Sequence, residues 1–196
     1  MNESFPYELI LASASPRRKE LLERMGFDFR IEAVDADETP DTNLPVERMP
    51  VWLAKKKAGL VCNINRKTLV IAADTMVLLG NQILSKPENV LEASEMLKSL
   101  SGKTHRVITG VCLKGLRRQT TFSVTTRVRF GLITDDEIEY YIHCFEPFDK
   151  AGAYGVQEWI GLSFVTHISG SYTNVVGLPT ERLYRELKKA AQSRRY

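Results

Sequence analysis

The first candidate for chemistry is a turn near the start of the chain, between an apolar run and an amphipathic helix. The stretch Ser13-Ala14-Ser15-Pro16-Arg17-Arg18 places two hydroxyls and two guanidinium groups where that helix is predicted to begin. The first amides of a helix have no intrahelical partner and bind anions, and a guanidinium group binds phosphate through parallel hydrogen bonds. On these residues alone, the turn is either an anion-binding site or a capped helix with two solvated arginines. It has none of the glycines of a P-loop.

Carboxylates that could hold a metal or activate a water occur at two places. Asp74 directly follows the apolar run 69–73, which is typical of a strand covered on both faces. Ligands of open α/β sheets bind beyond the carboxyl ends of strands, but an Asx turn explains Asp74 equally well. The acidic run of Asp35, Asp37 and Glu38 can contribute to a Mg²⁺ site, although by itself it is more typical of a solvated loop.

Two lysines and one amide complete the candidates. Lys57 lies on a predicted helix and Lys86 lies in Ser-Lys-Pro, and a lysine can neutralise phosphate as a point charge or simply keep a surface soluble. The glycines of segment 149–157 permit close backbone approach, and Gln157 at its end can both donate to and accept from a base edge. An anion-binding helix start, carboxylates, lysines and an amide together indicate a nucleotide.

Alternating strands and helices must position these residues. Strands are predicted at 9–12, 27–34, 69–73, 76–79, 107–113 and 121–130, and helices at 16–25, 50–61, 88–100, 135–145 and from 179 onward. Ser15 is the expected cap of the first helix and Thr134 that of the fourth. Segment 149–177 is predicted as short strands and loops. Without a composition break or internal repeat, the pattern predicts one α/β domain over residues 1–196.

Composition limits the function classes. The 196 residues are 43% hydrophobic and 26% charged with a net charge of +3, which is ordinary for a globular protein and too slight to indicate a nucleic-acid partner. The three cysteines, Cys62, Cys112 and Cys144, form no CxxC pair, so neither a disulfide framework nor a zinc site is expected. No signal peptide is recognisable, and no apolar run approaches the ~20 residues of a membrane span. We expect a cytoplasmic protein without a membrane partner, and the sequence leaves a homodimer open.

Five stretches, in order along nearly the whole chain, resemble the Maf family of nucleoside triphosphate pyrophosphatases. They are LASASPRRKELL, AADTMV, SKPENVLEASEMLKSLSGKTHRVITGV, DKAGAYGVQ and NVVGLPT. The resemblance implies an α/β fold with a mixed central sheet flanked by helices and two lobes around a cleft, as in inosine triphosphate pyrophosphatases. It also implies hydrolysis between the α and β phosphates with a divalent cation, Mg²⁺, Mn²⁺ or Co²⁺.

The resemblance further implies a role for each candidate residue. The catalytic set is Asp74, Glu38, Lys57 and Lys86, with Asp74 as proton acceptor and with Glu38 and Asp74 as metal ligands. The substrate-binding set is Ser13, Arg17, Arg18, Thr75, Asp149, Lys150 and Gln157. Within that set, Arg17, Thr75 and Gln157 are the positions expected to determine specificity.

Two motifs resemble the branch of the family that acts on dTTP and UTP. They are Ala-Asp-Thr and Asp-Lys-Ala-Gly-Ala-Tyr-Gly-x-Gln, whereas the 7-methyl-GTP branch tends to have Ser-Asp-Gln and a cysteine-containing block. We therefore expect dTTP, UTP and modified pyrimidine triphosphates as substrates, in a nucleotide house-cleaning role linked to cell-division arrest. The alternatives are a purine or 7-methyl-GTP pyrophosphatase of the same family and a non-catalytic nucleotide-binding regulator of cell division.

The chain departs from the family pattern at three places. Ser85 and the pair Glu158-Trp159 stand where glycine is commoner. Pro50 falls inside the predicted helix that carries Lys57, where it would cost a hydrogen bond unless the helix begins there.

Overall fold

The computed structural model describes residues 5–39, 41 and 44–193, and within them seven strands form one mixed sheet. The strands are β1 (Glu8–Leu11), β2 (Phe29–Ile31), β3 (Thr68–Leu79), β4 (Gln82–Leu84), β5 (Thr104–Lys114), β6 (Gln119–Phe130) and β7 (Val165–Ser169). Their order is β2-β1-β3-β5-β6-β7, and β4 pairs with β3. Strand β1 is parallel to β2 and β3, whereas the β3–β4 and β6–β7 pairs are antiparallel.

Helices flank this sheet, which confirms the predicted α/β class. They are α1 (Pro16–Arg24), α2 (Met49–Leu60), α3 (Val90–Leu100), α4 (Asp135–Phe145), α5 (Trp159–Phe164), α6 (Tyr172–Val176) and α7 (Thr180–Ser193). Short 3-10 turns occur at Val46–Arg48, Pro147–Asp149 and Ala151–Ala153. Among the described helices, none combines the length and the apolar character that a membrane crossing needs.

Helix α1 begins as its sequence predicts. The Ser15 side chain accepts a hydrogen bond from the Arg18 amide, and Pro16 occupies the first turn, where its missing N–H costs nothing. Gly26, just past the helix, has a φ of +75°, a conformation that glycine adopts without strain. The helix start with its hydroxyls and guanidinium groups is thus fixed by local sequence.

Helix α2 explains the unusual proline. It begins at Met49, so Pro50 lies in the first turn and no intrahelical hydrogen bond is lost. The helix packs so closely on β5 that a Cβ at Gly110 would overlap the backbone of Pro50 and Val51. Lys57 is buried on this helix, so the close packing fixes its position.

Strand β3 differs from the prediction at the acid expected to matter most. The sequence predicts one strand that ends before Asp74 and another from Met76, but β3 is continuous from Thr68 to Leu79. Its first part pairs with β1 as far as Ile71, and its last part pairs with β4 from Val77. Pairing before Asp74 with β1 and after it with β4 keeps the backbone extended on both sides. Asp74 therefore lies within a strand and not in an Asx turn.

Two further predictions of secondary structure are wrong in extent. The strand predicted at 27–34 shrinks to β2, with Ile31 exposed, because little of this edge segment is covered. Segment 149–177 holds the helices α5 and α6 in addition to β7. Both helices are short, with six and five residues, and have too few turns for a clear apolar period.

The chain divides into two compact units, each with its own core. The first comprises Met1–Asp74, Thr109–Val124 and Gly177–Tyr196, and its core cluster is Ile10, Ala12, Ala54, Ala58, Val61, Val70, Ala72 and Cys112. The second comprises Thr75–Ile108 and Thr125–Val176, with a core that includes Leu97, Leu100, Val128, Phe130, Ile138 and Tyr141.

Candidate active site

Three of the predicted catalytic side chains meet in the first unit. Lys57 Nζ donates a hydrogen bond to Asp74 Oδ1 over 2.6 Å and lies 2.7 Å from Glu38 Oε1. Lys57 and Asp74 are buried, at 8% and 7% exposure, whereas the Glu38 side chain is about half-exposed. A buried ammonium is tolerated only when it is paired, and here one ammonium holds two carboxylates beside each other.

A second ion pair holds the loop that carries Glu38. Lys56 Nζ contacts the main-chain oxygen of Asp37 at 2.5 Å and its carboxylate at 2.9 Å. The Thr39 hydroxyl and amide also donate to Asp37, and these bonds, together with Lys56, lower the pKa of that carboxyl below its usual range. Consecutive lysines of α2 thus bind consecutive acids of the loop. Lys56 and Thr39 were not predicted as site residues, although the lysine run was a visible signal.

Arg18 lies close enough to this cluster to sense its charge. Its Nε donates to the main-chain oxygen of Gly177 over 3.0 Å, and its Nη1 donates to Ser13 Oγ over 3.2 Å. Burial lowers the pKa of the Arg18 guanidinium, and the carboxylates of Asp74 and Glu38 oppose that shift. The first unit therefore brings Ser13 and Arg18 to the three charged residues, and Arg18 anchors the start of α1. Ser13 is buried, and Arg17 is half-buried.

The carboxylates in this cluster suit a hard divalent cation. Glu38 and Asp74 offer oxygen ligands that contact the same ammonium, so both can reach one ion. Within the described ranges, no group of three or more His, Cys, Asp or Glu side chains is arranged to hold a metal. Mg²⁺ commonly takes such a ligand set, in which two protein oxygens bind the ion and water and substrate phosphate complete the shell. The predicted metal ligands therefore fit the predicted cation.

The other predicted site residues lie in the second unit, on β3, after β4 and on the segment before α5. Thr75 is half-buried and Lys86 is exposed. The Gly152 amide donates to the main-chain oxygen of Ser85 over 3.0 Å, which joins the Lys86 turn to segment 149–157. These positions do not test the roles in the site that the sequence predicts for Thr75 and Lys86, so those roles stay predictions.

Lys150 and Gln157 have contrasting surroundings. Lys150 is buried, and its Nζ contacts Asp149 at 2.6 Å and Glu158 at 3.1 Å. Gln157 is half-buried, and its Oε1 is a buried acceptor with no hydrogen-bond donor among the described residues. Buried polar atoms are nearly always paired, so an acceptor of this kind is a candidate for contact with a ligand.

The sequence did not predict Tyr141 or Glu158 as functional residues. Tyr141 Oη donates to Glu158 Oε2 and accepts from the Gly155 amide at 3.1 Å. Burial and the Glu158 carboxylate raise the pKa of the Tyr141 phenol, so it stays a donor. The only signal in the sequence was that Glu158 stands where the family more often has glycine.

A family profile described as "Maf-like protein" matches residues 8–190 of the chain. The chain belongs to the Maf family. A relative from Phocaeicola vulgatus is 49% identical over 93% of this chain and 96% of its own length, and one from Porphyromonas gingivalis is 42% identical over 95% and 96%. A third, from Bacillus pumilus, is 46% identical over 92% and 95%. All three are named "dTTP/UTP pyrophosphatase".

Each unit holds side chains whose chemistry suits one part of a nucleotide. The cluster of Lys57, Asp74 and Glu38 can neutralise phosphate and accept a proton. The Gln157 amide oxygen, which accepts no hydrogen bond from a described residue, can accept one from a base.

Proposed function

We propose that this Maf-family chain hydrolyses dTTP, UTP and modified pyrimidine triphosphates to the nucleoside monophosphate and pyrophosphate. The observation that carries the proposal is the buried Lys57 ammonium held between Asp74 and Glu38. The names of the relatives support the choice of dTTP and UTP. The enzyme acts in the cytoplasm as a nucleotide house-cleaning hydrolase with a link to cell-division arrest.

The reaction is attack of a water on the α-phosphorus. A bond forms between the water oxygen and phosphorus, the bridging bond to the β-phosphate breaks, and its electron pair leaves with pyrophosphate. Asp74 accepts the proton of the water. Such displacement needs mainly positioning and charge neutralisation, and Arg17, Lys57 and Lys86 supply positive charge to the phosphates while Ser13 and the α1 amides anchor them.

Glu38 and Asp74 are the proposed ligands of the divalent cation. When bound, Mg²⁺, Mn²⁺ or Co²⁺ polarises the phosphate oxygens and promotes ionisation of the attacking water. Lys57 orients both carboxylates before substrate arrives, because its ammonium contacts each of them. Arg18 holds the start of α1 in place through Gly177 and Ser13.

Gln157 explains a preference for uracil and thymine over cytosine. Both preferred bases carry an N3–H donor next to a carbonyl oxygen, whereas cytosine has a bare N3 acceptor next to an amino group. The Gln157 Oε1 can accept from N3–H, and its amide nitrogen can donate to the carbonyl. With the amide held in this orientation, cytosine would oppose acceptor to acceptor and donor to donor.

A panel of nucleoside triphosphates with Mg²⁺ or Mn²⁺ tests the proposal, with pyrophosphate and orthophosphate measured separately. We expect pyrophosphate, with dTTP and UTP hydrolysed fastest. Orthophosphate as the first product would refute α–β cleavage, and binding without turnover would favour the cell-division regulator. Faster turnover of 7-methyl-GTP or purine triphosphates would favour the other branch.

Asp74→Asn tests the proton acceptor directly. We expect kcat to fall by about 10²–10⁴ while nucleotide binding persists, because the amide keeps the shape but cannot accept the proton. Asp136→Asn, the same change at an exposed residue of α4, is the matched control. Equal kcat values for the two variants would exclude Asp74 as the base.

A further inference from the structure

The residue after Gln157 is an acid on which a tyrosine and a lysine converge. Glu158 accepts a hydrogen bond from the Tyr141 hydroxyl with Oε2, and its Oε1 lies 3.1 Å from Lys150 Nζ. The Glu158 side chain is largely covered, at 21% exposure. A partly buried carboxylate with two charge-assisted contacts has little freedom to move.

The same tyrosine also holds the backbone that precedes Gln157. Tyr141 Oη accepts from the Gly155 amide at 3.1 Å, and the Glu158 amide donates to the Gly155 carbonyl at 3.0 Å. Residues 155–158 therefore form a closed turn in which Gln157 occupies the third position. One hydroxyl contacts both ends of that turn.

The turn is fixed to elements that cannot easily shift. Tyr141 is fully buried in the core of the second unit, and its ring stacks on Phe145 with centroids 5.1 Å apart. A Cβ at Gly155 would lie 2.6 Å from Glu158 Cδ, and one at Gly161 would overlap the Val156 backbone. The turn is packed too closely to relax without breaking these contacts.

We propose that Tyr141 and Glu158 are positioning residues that determine how well Gln157 distinguishes uracil from cytosine. The proposal rests on the proposed function, in which Gln157 contacts the base. The hydroxyl and the carboxylate set the orientation of the turn, and the turn sets the direction of the Gln157 amide. Lys150 neutralises Glu158, which keeps that carboxylate inside the unit.

Tyr141→Phe is the decisive variant, because it removes only the hydroxyl and keeps the stacked ring. We expect the ratio of kcat/KM for UTP to that for CTP to fall about tenfold, the value of one charge-assisted hydrogen bond. The matched control is Tyr140→Phe, the same change at the preceding residue, which is 51% exposed and packs its ring on Trp159. The control should keep the ratio of the unmodified protein.

A double-mutant cycle separates positioning from a general structural effect. Gln157→Ala should lower the UTP:CTP ratio by itself, and Tyr141→Phe added to it should lower the ratio no further, because no amide is left to orient. An additional drop in the double variant would overturn the proposal. So would a Tyr141→Phe ratio equal to that of Tyr140→Phe.

Glu158→Gln keeps the proposal testable if Tyr141→Phe does not fold. The amide still accepts from the Tyr141 hydroxyl, so we expect a smaller fall in the ratio than for Glu158→Ala. Equal ratios for the Gln and Ala variants and the unmodified protein would overturn the positioning role. If the unmodified protein releases no pyrophosphate from any pyrimidine triphosphate, the proposed function itself fails; active variants with unchanged ratios refute only the positioning role.

Discussion

Lys57→Met is the most informative single change in the first unit. It keeps the unbranched side chain as far as the ε position but removes the ammonium that Asp74 and Glu38 share. Removal of one partner from a buried ion pair costs roughly 3–5 kcal/mol, because a charge is left buried without compensation. Glu38 is about half-exposed and can turn to water. We therefore expect a loss of about 2–4 kcal/mol in the free energy of unfolding, mainly because the Asp74 carboxylate is left buried without its cation.

Urea unfolding measures this loss, and Lys56→Met is the matched control. Lys56 precedes Lys57 on the same helix, but its partner Asp37 is exposed, so the same substitution should cost much less than at Lys57. Equal losses for the two variants would refute the structural role assigned to Lys57.

The same assay with added MgCl₂ tests the cation site without measuring activity. A divalent cation can replace the missing ammonium between the two carboxylates, so Mg²⁺ should stabilise Lys57→Met more than it stabilises the unmodified protein or Lys56→Met. The midpoint of unfolding should rise with Mg²⁺ concentration in that variant. An identical response of all three proteins would exclude Glu38 and Asp74 as the ligands.

Two further predictions concern stability away from the charged cluster. Burial lowers the pKa of His105 from 6.5 to about 4, so between these two pH values the unfolded chain binds a proton that the folded chain does not bind. The free energy of unfolding should therefore fall as the pH drops through this range, by up to about 1.4 kcal/mol per pH unit. Urea midpoints measured across this pH range should show the decrease. An equally steep decrease in His105→Gln would mean that another group causes it. Gly110→Ala should lower the free energy of unfolding by about 1–3 kcal/mol, because its Cβ overlaps the α2 backbone; an unchanged midpoint would contradict that packing.

Local signals in the sequence predicted several elements almost to the residue. The hydroxyl of Ser15 and the fixed φ of Pro16 define the start of α1. Thr134 and Glu137 form a capping box that begins α4 at the predicted residue. In each case the determining contacts are made within four residues, so a single sequence contains them.

The remaining features depend on contacts between distant residues. Strand β3 continues through Asp74 because β1 and β4 pair with the segments that precede and follow it, whereas the sequence shows only a polar interruption. Likewise, nothing near Glu158 in the chain identifies Tyr141 as its partner, because the hydroxyl comes from another helix. The residue types at the candidate site could be predicted, but their pairing could not.

The bond between Arg18 and the Gly177 carbonyl joins residues that are 159 positions apart. The first unit is assembled from the beginning, middle and end of the chain, with the second unit's residues inserted between them. During synthesis, Arg18 can therefore reach Ser13 at once, but its bond to the Gly177 carbonyl cannot form until 159 further residues have been made. Contacts of such long sequence separation form late and slow folding. The start of α1 thus takes its final position only when a distant segment of the chain joins the first unit.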